Sequence, residues 1–389
     1  MKVLVALTYY HPHLSGLTVY SKRLAEALAI KGHEITVLCS QHHESLPSFE
    51  ILNGVSINRV PVSFFIHKGV VMPSYVKTLV PLLRNNDILS LHLPNTPIEA
   101  LSVLFTAARM PSKPIVATYH CDLTLPKGIL NRLADFIVFI GNISAGIVSN
   151  RIVAHTEDYA KYSKFLKLFR GRLEIIPPPL IMPQPRLEDT LSFRSRHAPK
   201  EESLIGFAAR FATEKGIEYL LGAIPLISKS LNNFKLFFVG ECQNVIGEHK
   251  YRKNIKPLLD RYRDYLSFAG VLSQDDMALF FSACDVVVLP SVNSTESFGM
   301  VQVESMLCGT PVVSTDIPGV RVPVQKTKMG RIVPPKDSET LAAAIIDVIM
   351  NRNKYVFPRS YIEEYYSLER TTEQYENLFE TIIRQHGKH

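Results

Sequence analysis

Residues Asp285–Gly319 read DVVVLPSVNSTESFGMVQVESMLCGTPVVSTDIPG. Val286–Leu289 is an apolar, β-branched run closed by Pro290, which predicts a buried strand. A polar loop runs on through Glu296. Phe298-Gly299 opens a helix that stops near Cys308-Gly309, and Val312–Ser314 begins the next strand. Strand, loop, helix, strand is one step of a parallel α/β sheet, whose ligands sit at the strand C-termini. The first amides of the predicted helix lack internal partners and carry the positive end of its dipole. A pyrophosphate placed there is stabilised, and Gly299 lets it approach closely. Glu296 lies just before the helix and Glu304 about a turn and a half into it. Carboxylates at such places accept hydrogen bonds from sugar hydroxyls. Taken singly, each is equally a helix cap or a solvated helical residue.

The same alternation extends in both directions. Towards the N-terminus, strands are expected at Val3–Leu7, Glu34–Cys39, Val55–Val62, Asp87–His92, Ile115–Tyr119 and Arg151–His155, with a helix at Val19–Lys31 stopped by Gly32. After a proline-rich stretch, strands are expected at Leu204–Ala209, Phe234–Val239, Leu266–Ala269, Val286–Leu289, Val312–Ser314 and Gly330–Val333. Strands alternating with helices mean βαβ units and a parallel sheet. The stretch LEIIPPPLIMPQP, Leu173–Pro185, continues neither a helix nor a central strand, so it reads as a stiff linker. The expected division is an N-terminal Rossmann-like domain over 1–176, a linker over 177–185, a second Rossmann-like domain over 186–366 and a C-terminal helical segment over 367–389. Two doubly wound domains joined in this way are expected to bind ligand in a cleft between them.

Composition narrows the class. The chain is 46% hydrophobic and 20% charged, which excludes a disordered, collagenous or coiled-coil protein. Its five cysteines show no C-x-x-C spacing, so neither a disulfide framework nor a zinc site is expected, and a reducing, cytoplasmic setting fits. Leu133–Val148 is the most apolar stretch, but it is short of the ~20 residues a membrane span needs and holds Asp135 and Asn142. Charge is uneven. Residues 1–183 hold 18 Lys+Arg against 11 Asp+Glu, whereas residues 184–389 hold 25 of each. A basic first half serves solubility or draws an anionic surface or ligand.

With these words in view, Asp285–Gly319 resembles the E-x7-E segment of the family 4 retaining glycosyltransferases, with Glu296 and Glu304 as the two glutamates. The resemblance extends over nearly the whole chain. It implies the GT-B fold, two Rossmann-like doubly wound domains facing across a cleft, with the C-terminal helix crossing back to the first domain. It implies a nucleotide-diphosphate sugar as donor and a hydroxyl acceptor, lipid-linked or a glycan. Glu304 is then the ribose ligand, Glu296 the ligand of the donor-sugar hydroxyls, and the amides of Phe298, Gly299 and Met300 meet the sugar ring or phosphates. In GFAARFATEKGIEYLL, Gly206–Leu221, Arg210 and Lys215 follow a strand and match the family's diphosphate ligands. Two cations at that place stabilise a diphosphate leaving group. Gly16, opening the first helix after TYYHPHLS, matches a phosphate-side loop; the family has a glycine pair where this chain has Ser15-Gly16. His120, in IVATYHCDLTLP (Ile115–Pro126), matches the active-site histidine that contacts the donor sugar, and Asp122 is placed towards the acceptor. Base recognition is placed near Val271. The loop GECQN, Gly240–Asn244, departs from the family's glycine-rich pattern.

No D-x-D triad occurs, and Arg210, Lys215 and a helix N-terminus supply positive charge, so no metal and no cofactor are expected. No carboxylate stands out as a covalent nucleophile. The resemblance therefore implies front-face transfer, in which the leaving diphosphate takes the acceptor's proton. Nucleotide-sugar epimerases share the fold, glycogen- and sucrose-type synthases share the motif, and a non-catalytic sugar- or membrane-binding relative is a further alternative. Nucleic acid is not an expected partner. The two sequons, at Asn142 and Asn293, are read as chance matches. Finally, DYAKYSKFLKLFRGR, Asp158–Arg172, has Tyr162, Phe165, Leu166 and Phe169 at i, i+3, i+4, i+7 and five cations. As one amphipathic helix it either packs on the sheet or lies on an anionic membrane, placing the enzyme peripherally on the cytoplasmic face.

Overall fold

The computed structural model describes residues 1–66, 69–123, 128–243, 245 and 247–386. Of the stretches singled out above, residues 67–68, 124–126 and Asn244 lie outside the described residues. The chain forms two compact units, Met1–Pro179 together with Leu368–His389, and Leu180–Ser367.

The first unit is built on an eight-stranded sheet. Its strands are β1 (Lys2–Ala6), β2 (Glu34–Gln41), β3 (Phe49–Leu52), β4 (Val55–Pro61), β7 (Ile88–Leu93), β8 (Ile115–Tyr119), β9 (Arg151–Ala154) and β10 (Leu173–Ile175), and a separate hairpin pairs β5 (Phe64–Ile66) with β6 (Gly69–Val71). The order is β10-β9-β8-β7-β1-β2-β4-β3. All pairings in this sheet are parallel except β3 with β4. Central strands read as continuous apolar runs because helices cover both faces: every residue of ILSLHL in β7 and IVATY in β8 is buried. The antiparallel edge β3 instead leaves Phe49 and Ile51 exposed. The last helix, Leu368–His386, belongs to this unit: Tyr375 Oη is 2.6 Å from Tyr20 Oη and 2.8 Å from Thr118 Oγ1, and Glu376 bonds Lys31 and His33.

The second unit holds β11 (Ser203–Ala208), β12 (Phe234–Val239), β13 (Leu266–Gly270), β14 (Val286–Leu289), β15 (Val312–Thr315) and β16 (Gly330–Val333) in the order β13-β12-β11-β14-β15-β16, all parallel. Strand order reverses between β1 and β7 in the first unit and between β11 and β14 in the second. These switch points are where the following loops diverge to opposite faces and leave room for a ligand.

Three expectations are corrected. Leu173–Ile175 is not linker but the edge strand β10, paired in parallel with β9; an edge strand tolerates the prolines that follow it. The β3 strand and the β5–β6 hairpin lie in a stretch whose short, half-exposed runs carry no clean alternation. Asp158–Arg172 is not one helix: a short helix, Glu157–Tyr162, ends at Ser163 in extended geometry, and a kinked 3-10 segment covers Leu166–Arg172. The cause is distant in sequence. Asp122 accepts from Ser163 Oγ at 2.8 Å and from the Lys164 amide at 3.0 Å, which diverts the backbone from the helix. Phe165 and Leu166 are fully buried in the core of the unit, so this apolar stripe faces the protein interior.

Candidate active site

In the second unit, the loops after β11 and β14, the two strands at the switch point, are fastened together. The Val292 amide donates to the Glu214 carbonyl at 3.0 Å. Gly216 has φ 64°, and a Cβ there would lie 2.2 Å from the Pro290 carbonyl oxygen, so only glycine permits this approach. The result brings together residues 81 apart in sequence: Lys215 Nζ donates to Glu296 Oε2 at 2.5 Å. The pair is mostly shielded, with side chains 17% and 16% exposed. Arg210 is 37% exposed and holds Glu214 at 2.8 Å. Thr213 donates through its amide and hydroxyl to the buried Glu248, fixing the loop between the two cations.

Past Glu296, Gly299 caps the helix Met300–Leu307 in the left-handed region, φ 76°. A Cβ would meet Leu289 Cδ2 at 2.4 Å and Gln302 Nε2 at 2.7 Å. No side chain caps this helix start, so its leading amides keep their donor capacity. Phe298 is buried against the Tyr366 ring, anchoring the turn. Because the helix begins at Met300, Glu304 stands just over one turn into it, and it is buried rather than solvated. Val271, after β13, is exposed. The Gly240 amide bonds the Gly270 carbonyl, and a Cβ on Gly240 would reach 2.5 Å from the Ala209 carbonyl, so the loops after β11, β12 and β13 also lie close.

The first unit's strand ends are different in kind. His120 follows β8 and is buried beside His92 from β7 and His155 after β9. His92 pairs in register with Thr118 and Thr118 with Val153, so residues 92, 118, 120, 153 and 155 share one face of the sheet. His120 Nε2 lies 2.9 Å from His92 Nδ1, and His120 Nδ1 lies 3.3 Å from His155 Nε2. Ser21 Oγ extends the chain to His92 Nδ1 at 3.2 Å, and the Tyr20 ring meets His120 edge-on. Burial holds all three imidazoles neutral: His92 is lowered to about 3, His155 to about 4 and His120 well below the usual value, with neighbouring imidazoles adding to the effect on His92 and His120. A backbone hydrogen bond to Ile176 opposes burial at His155. Among the described residues no group of His, Cys, Asp or Glu is arranged to hold a metal ion.

Sequence reasoning selected His120 and missed His92 and His155. The available signal was a histidine at the C-terminal end of each of three successive apolar strands, ILSLHL, IVATYH and RIVAH. Gly16 is the first residue of the helix Gly16–Ile30, and Ser15 is its cap: Ser15 Oγ accepts the Thr18 amide while Thr18 Oγ1 accepts the Ser15 amide. That reciprocal cap gives Ser15 a use where a second glycine was expected. Asp122 is not placed as an acceptor ligand. Its carboxylate already takes Tyr119 Oη, Ser163 Oγ and the Lys164 amide, and it acts as a staple between two loops.

Two parallel α/β sheets, each with paired loops at a switch point, define the GT-B architecture. Residues 14–180 match the family described as Glycosyltransferase Family 4, and residues 189–364 the one described as Glycosyl transferases group 1. The chain belongs to the group 1/family 4 glycosyltransferases, enzymes that use a nucleotide sugar. It is 26% identical over 387 residues to phosphatidyl-myo-inositol mannosyltransferase of Mycobacterium leprae, covering 96% of this chain and 95% of that one. Among solved structures it resembles sucrose-phosphate synthase from Thermosynechococcus elongatus, with a TM-score of 0.78 at 18% identity over 99% of both chains. It likewise resembles Anabaena HepE in complex with UDP-glucose, with a TM-score of 0.78 at 17% identity over 98% of this chain and 100% of that one.

Proposed function

We propose that the protein is a retaining hexosyltransferase that moves a sugar from a nucleoside-diphosphate sugar to the hydroxyl of a lipid-linked or glycan acceptor, without a metal ion. The observation that carries this reading is the joined loop pair of the second unit. Arg210, Lys215 and the uncapped start of Met300–Leu307 supply positive charge and amide donors, while Glu296 and Glu304 supply acceptors for hydroxyls. The C1–O bond to the diphosphate breaks as the bond from C1 to the acceptor oxygen forms on the same face. The acceptor's proton passes to the departing phosphate oxygen. Arg210 and Lys215 stabilise the charge that develops there, which reduces the need for a divalent cation.

His120 enters this scheme as a neutral hydrogen-bonding group, since burial disfavours its cation. Its ring nitrogens face His92 and His155, so a sugar hydroxyl would replace the longer contact, to His155 at 3.3 Å. Lipid acceptance draws support from the printed name of the mycobacterial relative, whose acceptor is a phosphoinositide.

The test is transfer with purified protein. A panel of nucleotide sugars is first screened by thermal shift, because a bound donor raises stability. The stabilising donor is then supplied with hydroxyl acceptors, with and without EDTA, and the product's anomeric configuration is read by NMR. Retained configuration with turnover unaffected by EDTA is the expected result. Inversion, or activity restored only by added Mg²⁺ or Mn²⁺, would overturn the proposed chemistry.

A further inference from the structure

The helix Ile129–Val148 leaves an apolar ridge uncovered. Leu133, Phe136, Ile137 and Ile140 recur at i, i+3, i+4, i+7, and each is between 43% and 60% exposed. Ile147 continues the same face at 59%. Scattered exposed apolar side chains are ordinary, but a continuous ridge of this kind marks a surface that meets something.

Its setting follows from two glycines. A Cβ on Gly141 would lie 3.3 Å from Ala100 Cβ and 3.7 Å from Pro97 Cα, so Gly141 packs beside the start of the helix Pro97–Arg109. Residues 129–137, about 13 Å of helix, therefore extend beyond the first turn of that neighbour. A Cβ on Gly146 would meet the Phe169 and Phe165 rings, so Gly146 packs on the basic segment. At about 100° per residue, Gly141 lies a quarter turn to one side of the ridge and Gly146 about a third of a turn to the other. The outer layer thus runs from Pro97–Arg109 across the ridge to residues 161–172. Leu101 and Phe105 are exposed on one flank, where Arg109 stacks over the Phe105 ring at 3.6 Å. On the other flank Leu168 is exposed among Lys164, Lys167 and Arg170, cations that make no ion pair among the described residues.

We propose that this face, the Ile129–Val148 ridge flanked by Lys164, Lys167, Arg170 and Arg109, docks the protein on an anionic lipid bilayer. The ridge enters the interfacial region and the cations meet lipid phosphates, the arrangement of an interfacial helix. No helix of the described residues is long and apolar enough to cross a membrane, so the association is peripheral. A second copy of the chain fits less well. A two-fold pairing of this face sets its cations against the same cations. The acid nearest the basic flank, Glu157, is already paired with Lys161.

The experiment is co-sedimentation of the full chain with vesicles of phosphatidylcholine alone or with phosphatidylglycerol, at low and high salt, alongside light-scattering mass. No nucleotide sugar is present, so the outcome is independent of the transferase reading. Wild type is expected to bind the phosphatidylglycerol vesicles and to be partly released by salt. Phe136→Ser/Ile140→Ser is expected to lower partitioning about tenfold at any salt concentration, by removing apolar contact. Lys164→Gln/Lys167→Gln is expected to weaken binding mainly at low salt. All four positions are exposed, and circular dichroism confirms that the variants fold. Equal binding by the variants, or wild type that stays in the supernatant, overturns the proposal. So does a wild-type dimer that Phe136→Ser/Ile140→Ser converts to a monomer without affecting vesicle binding.

Discussion

At the switch point of the second unit the strand ends carry fixed charge, paired as Lys215 with Glu296 and Arg210 with Glu214 and left partly open to solvent. At the strand ends of the first unit the polar groups are imidazoles, fully enclosed and neutral. The same sheet architecture therefore offers two environments. Partial exposure lets an ammonium and a carboxylate stay ionised, which suits a ligand that arrives as a dianion. Full burial discharges imidazoles and leaves hydrogen-bonding capacity alone, which suits uncharged hydroxyls.

The sharpest way to separate the two environments is acid. The unfolded chain protonates its imidazoles near the ordinary value of 6.5, while in the folded protein His92 and His155 resist protonation until about 3 and 4. Between those limits the unfolded state binds more protons, so the first unit keeps its full stability above pH 6.5 and loses it as pH falls. At pH 5 each of the three buried imidazoles withdraws about 2 kcal/mol. Melting followed by a probe in the first unit should drop steeply from pH 6.5 to 5, and His155→Gln should flatten that slope. A pH-independent melt in this range would remove the buried chain as its cause.

The charged pair is tested by removing either partner. Lys215→Ala and Glu296→Ala should each cost on the order of 3 kcal/mol of transition-state stabilisation, about 100-fold in kcat/KM, with little change in melting temperature. Because the two groups hold one another, the double variant should lose much less than the sum of the single losses. Strict additivity would show that the 2.5 Å contact is not used in the reaction.

A smaller effect is expected at Gly299. An added methyl must avoid Leu289 and tolerate a positive φ, a strain of about 1–2 kcal/mol. Gly299→Ala should therefore weaken donor binding, read by calorimetry, about tenfold. His92→Gln should act more weakly still on donor affinity, and chiefly on kcat, since it touches only His120.

Much of the fold was legible because the central strands are buried on both faces, so β1, β7, β8 and β14 announce themselves as unbroken apolar runs. Arg210, Glu296 and Gly299 were legible as strand-end and helix-start residues, since those positions have local signatures. What was not legible depends on contacts across the chain. Nothing near Ser163 foretells that Asp122, 41 residues earlier, will end the helix there. Nor does the amphipathic spacing of Phe165 and Leu166 say whether the face it builds turns inward or outward. The exposed ridge on Ile129–Val148 was hidden for the converse reason: its composition reads as core, and only the neighbouring packing shows which side is uncovered.

The helix Leu368–His386 has a consequence for how the protein is made. The second unit is one uninterrupted stretch, Leu180–Ser367, nested within a first unit whose two pieces are synthesised at opposite ends of translation. Tyr20 and Thr118 emerge early, yet their hydroxyl partner Tyr375 is among the last residues to leave the ribosome. The inner unit is thus free to fold on the nascent chain while the outer one waits for its final helix. A stalled or clipped chain ending before Leu368 would carry a complete inner unit and an outer one with a helix-sized face left open, the kind of intermediate that chaperones and proteases recognise.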